Sequence, residues 1–155
     1  MSSEVDTKKE KKSQEESYHD FCCKLDDPSH KIEPSDFVHL HNHTHYSLLD
    51  GLTKVPDLIG YVKEQGMQAV AVTDHGTMSS LIELYKEAKA ADIKPILGLE
   101  AYVAARSRLD RDPAYDKVRY HITLLSMNDQ GFENLCRLAT EAEVNGKYYK
   151  PRIDH

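Results

Sequence analysis

Four histidines alternate with other residues in one short segment: His39, His41, His43 and His45. Side chains two positions apart in a strand lie on the same face, so this spacing predicts imidazoles that converge on one side. Neutral imidazole nitrogens are common ligands of Zn²⁺ and other transition metals. The pattern indicates a metal site, with a chance cluster of histidines as the alternative.

Two later segments supply further candidate ligands. Asp74 and His75 follow the apolar run AVAVT, and Glu100 lies among apolar residues in LGLEAYV. A buried carboxylate without a partner is costly, so a buried Glu100 requires a cation. Its alternatives are exposure at the end of a strand and an ion pair with Arg106. Parallel sheets gather functional groups at the carboxyl ends of their strands, which favours one common site.

Asp50 and His121 each have a structural alternative to metal binding. Asp50 precedes Gly51, and the Asp-Gly pair is common in turns. His121 begins the apolar run HITLL, where a hydrogen-bonded core histidine is equally compatible with the pattern. Local sequence alone leaves both interpretations open.

The candidate ligands lie on or beside predicted strands that alternate with helices. Period-two spacing and apolar runs predict four strands, over 37–43, 69–73, 94–104 and 119–126. Helical spacing predicts three helices: one from near Pro56 to Gly66, one over 78–91, and one capped at Asn128 or Asp129. Their predicted buried faces are Val55, Leu58, Ile59 and Val62; Leu81, Ile82, Tyr85 and Ala88; and Phe132, Leu135, Cys136 and Ala139.

This order of elements indicates an α/β fold with a parallel sheet. The sheet is either doubly wound or the start of a barrel, since four strands cannot close one. The segment over 107–119 mixes Arg, Asp and Pro and predicts a surface loop. Residues 1–36 are rich in Lys, Glu, Ser and Asp, which predicts a disordered charged tail before a single domain over 37–155.

Composition limits the classes of function. The net charge of -6, from 26 acidic and 20 basic residues, provides no overall field that attracts nucleic acid, so any phosphate binding must be local. The stretch KYYKPR at 147–152 could contact single-stranded DNA, although a surface loop is the favoured interpretation. Adjacent Cys22 and Cys23 among three cysteines favour a reducing cytoplasm over a disulfide framework. We expect a cytoplasmic protein without a membrane span.

Five motifs in order resemble one known family. HLHNHTHYSLLDG, VTDHG, ILGLEAYV, YHITLLSMNDQGFENLCRL and YYKPRID, within residues 37–155, are similar to the polymerase and histidinol phosphatase (PHP) domain that begins bacterial DNA polymerase III alpha subunits. The resemblance implies the first part of a distorted (β/α)7 barrel with parallel strands. It also implies that further ligands and the rest of the barrel lie beyond residue 155, so that the site is incomplete in this chain.

The resemblance assigns roles residue by residue. It implies that zinc, manganese or magnesium is held by His41, His43, Asp50, His75, Glu100 and His121, and that His41, His43 and His75 are catalytic. His39 and Asp74 are expected to support the ligands, with Asp74 orienting an imidazole. His45 departs from the family, in which an acid or amide is common at this position, so it is not counted as a ligand.

The implied setting is DNA replication. The expected partners are the remainder of the polymerase alpha subunit, a proofreading nuclease subunit, and DNA through the complete polymerase. Nucleotidyl transfer is not expected of this segment, because the carboxylates of a polymerase palm are absent, which leaves metal-dependent phosphoester hydrolysis. The alternatives are a non-catalytic docking module and a free-standing phosphatase, and YSLLDG and YYKPRID favour the polymerase relatives over the latter.

Overall fold

The computed structural model describes residues 31–155, so most of the tail predicted over 1–36 lies outside the described residues. Pro34–Asp36, which the sequence assigns to that tail, form one turn of 3-10 helix with exposed side chains. The remaining elements are three helices and four strands: α1 (Val55–Glu64), β1 (Ala69–Val72), α2 (Leu81–Ala90), β2 (Lys94–Ala104), β3 (Arg119–Leu125), α3 (Asp129–Val144) and β4 (Arg152–Ile153).

Helix α1 follows its sequence pattern. Pro56 occupies the first turn, where its missing N–H has no helical partner in any case. The four predicted apolar residues of this helix are buried. The chain leaves the helix through Gly66, whose φ of +72° is a left-handed conformation that favours glycine. The prediction for this element is confirmed.

The other two helices differ from their predicted faces. In α2 the buried residues are Leu81, Leu84 and Ala88, while Ile82 and Tyr85 are 69% and 50% exposed. The sequence LIELYKEA carries apolar residues on both sides, and packing against α1 and β1 selects the side that contains Leu84. In α3 Leu135 and Ala142 are buried, and Cys136 is exposed, contrary to prediction.

The start of α3 agrees with the sequence. The side chain of Asn128 accepts a hydrogen bond of 2.9 Å from the backbone N–H of Gly131. This contact satisfies one of the backbone donors that the first turn of a helix leaves free. Of the two predicted caps, Asn128 is therefore the one that is used.

Strand β2 organises a mixed sheet. It pairs in parallel with β1, from Ala69 opposite Lys94 to Val72 opposite Leu97. Its other edge pairs with β3 in antiparallel orientation, so the predicted α/β fold with parallel strands is confirmed, but the parallel arrangement does not extend to this strand. The reason is that the connection over 105–118 contains no helix, and a strand that returns directly runs antiparallel.

The predicted strand over 37–43 is reduced to a short parallel contact with β1. His39 forms a bridge with Val70, and the backbone N–H groups of Ala71 and Thr73 donate to the carbonyls of His39 and Asn42, each at 2.8 Å. The chain then enters tight turns, beginning with the 2.9 Å hydrogen bond from Ser47 N–H to the carbonyl of Thr44. The four histidines therefore do not share one strand face.

One edge of β2 is shared by three segments. Beyond β1, His75 forms a bridge with Glu100, and β4 then pairs in parallel with Tyr102 and Val103. The segment that follows β1 therefore leaves the sheet at His75, next to Glu100. Two apolar clusters support this arrangement, one between α1, α2 and β1 and the other between β2, β4 and α3. Within residues 31–155, no helix has the length and hydropathy needed to cross a membrane.

Candidate metal centre

Buried Asp74 fixes the turns that follow the histidine segment. Its carboxylate accepts hydrogen bonds from the backbone N–H and the hydroxyl of Thr44 (2.7 and 2.9 Å), from Ser47 Oγ (2.6 Å) and from Ser80 Oγ (2.5 Å). Ser47 Oγ in turn accepts from the backbone N–H of His75 at 3.1 Å. The sequence predicts that Asp74 orients an imidazole, but its carboxylate forms no hydrogen bond to a histidine ring among the described residues. Asp74 instead holds the loop that carries the neighbouring ligands.

Gly51 lets this loop close. The backbone N–H of Gly51 donates to the carbonyl of Ser47 at 2.8 Å, and a Cβ at position 51 would overlap the carbonyl oxygen of Thr44. Asp50 is thereby turned toward the histidines. Its Oδ2 lies 2.8 Å from His43 Nδ1 and 3.4 Å from His75 Nε2. The turn role and the site role that the sequence poses as alternatives for Asp50 coexist.

Four imidazoles surround the buried carboxylate of Glu100. Its Oε2 lies 2.7 Å from His41 Nε2, 2.5 Å from His43 Nε2 and 3.6 Å from His75 Nδ1. Its Oε1 lies 2.8 Å from His121 Nδ1. These histidines come from the segment before α1, the loop after β1, and β3, so the contact joins parts of the chain that are distant in sequence. Glu100 faces histidines rather than solvent.

The alternative ion pair between Glu100 and Arg106 does not form. Arg106 instead makes two hydrogen bonds to the carboxylate of Asp116, at 3.0 and 2.7 Å. The loop that carries both residues is therefore closed on itself. Glu100 is left with the imidazoles as its partners.

The pKa values reflect this crowding. Burial acts to raise the pKa of Glu100, but the hydrogen bonds from His41 and His43, together with the charge interactions with His75 and His41, outweigh it and hold the pKa at about 2. Burial acts to lower the pKa of His43, and its hydrogen bonds with Glu100 and Asp50 produce a net increase. Burial dominates at His75 and lowers its pKa. Glu100 is thus an anion and His75 a neutral imidazole at neutral pH.

The donors form three overlapping groups, in each of which the ligand atoms lie within 4.8 Å of one another. Each contains a carboxylate and two imidazoles: His41, His43 and Glu100; His43, Asp50 and His75; and His75, Glu100 and His121. Buried His75 Nδ1 has no hydrogen-bond partner within the described chain and lies 3.6 Å from Oε2 of Glu100, a position that suits a metal ligand. Mixed imidazole and carboxylate donors fit a divalent metal ion.

Comparison with known proteins identifies the family. The family model of the PHP domain matches residues 39–155. The chain belongs to the PHP domain family. It is 50% identical over 122 residues to DNA polymerase III subunit alpha of Thermus aquaticus, and 47% identical over 121 residues to that of Borreliella burgdorferi. These alignments cover 76% and 77% of this chain, which spans about 10% of the length of each relative.

A solved structure also matches this PHP domain. An amidohydrolase from Chromobacterium violaceum aligns with 67% of this chain and 34% of its own, with a TM-score of 0.46 and 21% sequence identity.

Six of the eight residues that the sequence predicts for the site of this PHP domain belong to the donor groups, and the two predicted supporting residues, His39 and Asp74, do not. The three donor groups contain every predicted ligand. His39 belongs to none of them, and its ring instead packs edge-on against Phe37, with the centroids 4.9 Å apart. His45 lies in the turn beside Tyr46, at a ring distance of 4.4 Å, and is also outside the groups, although it lines the same cleft as three of the donors.

Three of the donors of the PHP domain, Asp50, His75 and His121, line a cleft of about 860 Å³. Residues from six parts of the chain line it, including Asp50, His75, Tyr102, Arg119, His121 and Lys150. Sequence reasoning missed Tyr102, Arg119 and Lys150 as residues of the site. The first two had a usable signal, since Tyr102 follows Glu100 by two positions and Arg119 precedes His121 by two, and such pairs share a strand face.

Proposed function

We propose that this PHP domain binds divalent metal ions through His41, His43, Asp50, His75, Glu100 and His121 and hydrolyses phosphoesters. The supporting observation is the contact of one buried carboxylate with imidazoles from three separate segments. Folding this many titratable groups together is costly unless a cation or a proton links them. Donor atoms in this arrangement suit the cation.

Some of the donor residues belong to more than one donor group. Glu100 belongs to two groups, with Oε2 toward His41 and His43 and Oε1 toward His121, so it would supply one oxygen to each. His43 and His75 are also shared between groups. We assign the catalytic role to His41, His43 and His75, of which His41 and His43 contact Oε2 of Glu100 and His75 belongs to two donor groups. When bound, a divalent metal would polarise phosphate oxygens and lower the pKa of a water to about 7.

The donor set bears on the choice of metal. Imidazole nitrogens favour zinc, and the carboxylates of Asp50 and Glu100 also suit manganese and magnesium. Because every group contains two imidazoles and one carboxylate, we propose zinc or manganese as the resident ions and magnesium as the weakest of the three. Half-exposed His41 leaves one side of the centre open to a substrate.

The proposed setting is a bacterial replicative polymerase. The relatives named above are DNA polymerase III alpha subunits, and they are far longer than this chain. We therefore propose that the partners are the remainder of an alpha subunit, a proofreading nuclease subunit, and DNA through the complete polymerase, and that the protein acts in the cytoplasm. The phosphoester at a DNA 3' end is the substrate that this setting favours.

Metal content and hydrolysis, measured together, test the proposal. The purified chain is dialysed against zinc or manganese, its bound metal is measured by elemental analysis, and hydrolysis of bis(p-nitrophenyl) phosphate and of a DNA 3' end is followed. We expect His43→Ala and His75→Ala to lose both metal and turnover, and His39→Ala, as the matched control, to keep both. Bound metal without turnover in the unchanged chain would reject hydrolysis by these six ligands alone and support the docking module.

A further inference from the structure

We propose that Arg119 and Lys150 form a phosphate-binding pair beside the metal centre and position the substrate of the proposed hydrolysis. The inference rests on the proposed function and deepens it, because it assigns substrate binding to residues that hold no metal. Its basis is the placement of these two cations around Tyr102, in the lining of the cleft that also contains the proposed ligands Asp50, His75 and His121.

The register of β2 and β3 places Arg119 next to the centre. Tyr102 lies opposite His121 in this antiparallel pair. Glu100 and Tyr102 are two positions apart on β2, and Arg119 and His121 are two positions apart on β3, so each pair shares a face. The ligands Glu100 and His121 are therefore followed along the same face by Tyr102 and Arg119.

Tyr102 connects the cations to the metal donors. Its side chain is buried, the Arg119 guanidinium carbon lies 5.7 Å from its ring centroid, and Lys150 Nζ lies 5.6 Å from it. The same ring stacks on His75 at 5.8 Å and meets His121 edge-on at 4.9 Å. Cation–π contacts of this kind hold Arg and Lys side chains in place without neutralising them. One aromatic ring thus fixes the two cations relative to two of the proposed ligands.

Both cations retain free charge. Within residues 31–155 neither Arg119 nor Lys150 forms an ion pair, whereas Arg106 and Arg108 pair with Asp116 and Asp154 at 2.7 and 2.6 Å. One N–H group of Arg119 donates to the carbonyl of Lys117, at 2.9 Å, and an arginine side chain has five N–H groups. The remaining donors are available to an anion.

Two cations that form no ion pair within residues 31–155 would favour the binding of an anionic substrate. The chain carries a net charge of -6, and the carboxylates of Asp50 and Glu100 line the centre, so an approaching phosphate meets negative charge. Cations at the mouth of a cleft raise the local concentration of an anionic substrate. Arginine also binds phosphate oxygens with well-defined geometry, and lysine adds a point charge. The pair therefore suits a phosphate group whose other oxygens face the metal donors.

Binding of inorganic phosphate tests the pair without requiring turnover. Radiolabelled phosphate is dialysed to equilibrium against the full chain, with and without manganese, for the unchanged protein and for Arg119→Met and Lys150→Met. We expect each substitution to weaken phosphate binding about tenfold, as for the loss of a charged hydrogen bond, while manganese stoichiometry stays the same. Arg119→Lys should recover part of the affinity. Arg137→Met and Lys86→Met, on exposed faces of helices, are the matched controls and should bind phosphate normally.

The outcomes separate this inference from the proposed function. Phosphate binding that falls with both substitutions supports the pair even if the chain hydrolyses nothing or takes up no manganese, results that would instead count against the proposed function. Phosphate binding that is absent, or that changes no more than in the two controls, overturns the pair. Loss of manganese from Arg119→Met also overturns it, since the residue would then act through the donor groups rather than on phosphate.

Discussion

His43 and Glu100, 57 positions apart in the sequence, are joined by a hydrogen bond of 2.5 Å between Nε2 and Oε2. The same imidazole contacts Asp50 through Nδ1 at 2.8 Å. Both nitrogens of one ring thus face carboxylates, and the two carboxylates come from different segments of the chain. His43 is the residue through which the loop before α1 and the centre of β2 are brought into one site.

Replacing Glu100 with Gln tests whether metal binding requires the negative charge of this residue. The amide keeps nearly the same size but removes the anion that two donor groups share. Changing even a partner of a metal ligand commonly costs 10-fold to 100-fold in metal affinity. We therefore expect zinc binding, measured by competition with a chromogenic chelator, to weaken by at least about tenfold. Exposed Glu87→Gln on α2 is the control, and equal affinity in both variants would show that Glu100 is not a ligand.

Part of this site could be predicted because strands of the sheet place some of its ligands. Glu100 is an acid inside an apolar run, and His75 follows one, so both positions are visible in the sequence. The partners of Asp74 are different. Its hydrogen bonds to Thr44, Ser47 and Ser80 depend on how two loops meet, and loop conformation leaves little periodic signal.

The errors in the predicted fold have a similar origin. Apolar spacing reveals that 119–126 is a strand but not its direction, which depends on whether a helix fills the preceding connection. The two-residue strand β4 is too short to show a pattern at all. In α2 apolar residues lie on both sides, and only contact with β1 and α1 decides which side is buried. Local pattern predicts elements here better than it predicts their partners.

Asp74→Ala should destabilise the fold and weaken the metal centre together. The substitution removes the acceptor for three hydroxyls and one backbone N–H, all of them in buried residues. Buried donors without partners cost roughly 1–3 kcal/mol each before relaxation, so we expect the free energy of unfolding to fall by about 3 kcal/mol. Urea denaturation of metal-free protein measures this. Exposed Glu64→Ala should change it by less than about 0.5 kcal/mol, and a similarly small change at Asp74 would contradict the proposed role of the network.

Two glycines provide a matched pair for the loop that carries Asp50. A methyl group at Gly51 would overlap the Thr44 carbonyl, whereas one at Gly60, within α1, meets nothing within 4 Å. We expect Gly51→Ala to lower both stability and zinc affinity, because Asp50 must move. Gly60→Ala should instead raise stability by up to about 1 kcal/mol through helix propensity. Thermal unfolding measures the stability of both variants, and titration measures their zinc affinity. Unchanged zinc affinity in Gly51→Ala would show that this turn does not position a ligand.

Asp116 and Arg106 should make stability depend on pH, away from the metal centre. The hydrogen bonds from Arg106 lower the pKa of Asp116 below its ordinary value of 3.8, despite burial of the carboxylate. A group whose pKa is lower in the folded state contributes stability above its unfolded pKa, and this contribution is lost as the pH falls through the folded value. The difference in unfolding free energy between the unchanged chain and Asp116→Asn should therefore be largest near pH 6 and shrink as the pH falls below about 4. Urea denaturation in a chelating buffer measures it, and a difference that stays constant as the pH falls would show that ionised Asp116 does not stabilise the loop.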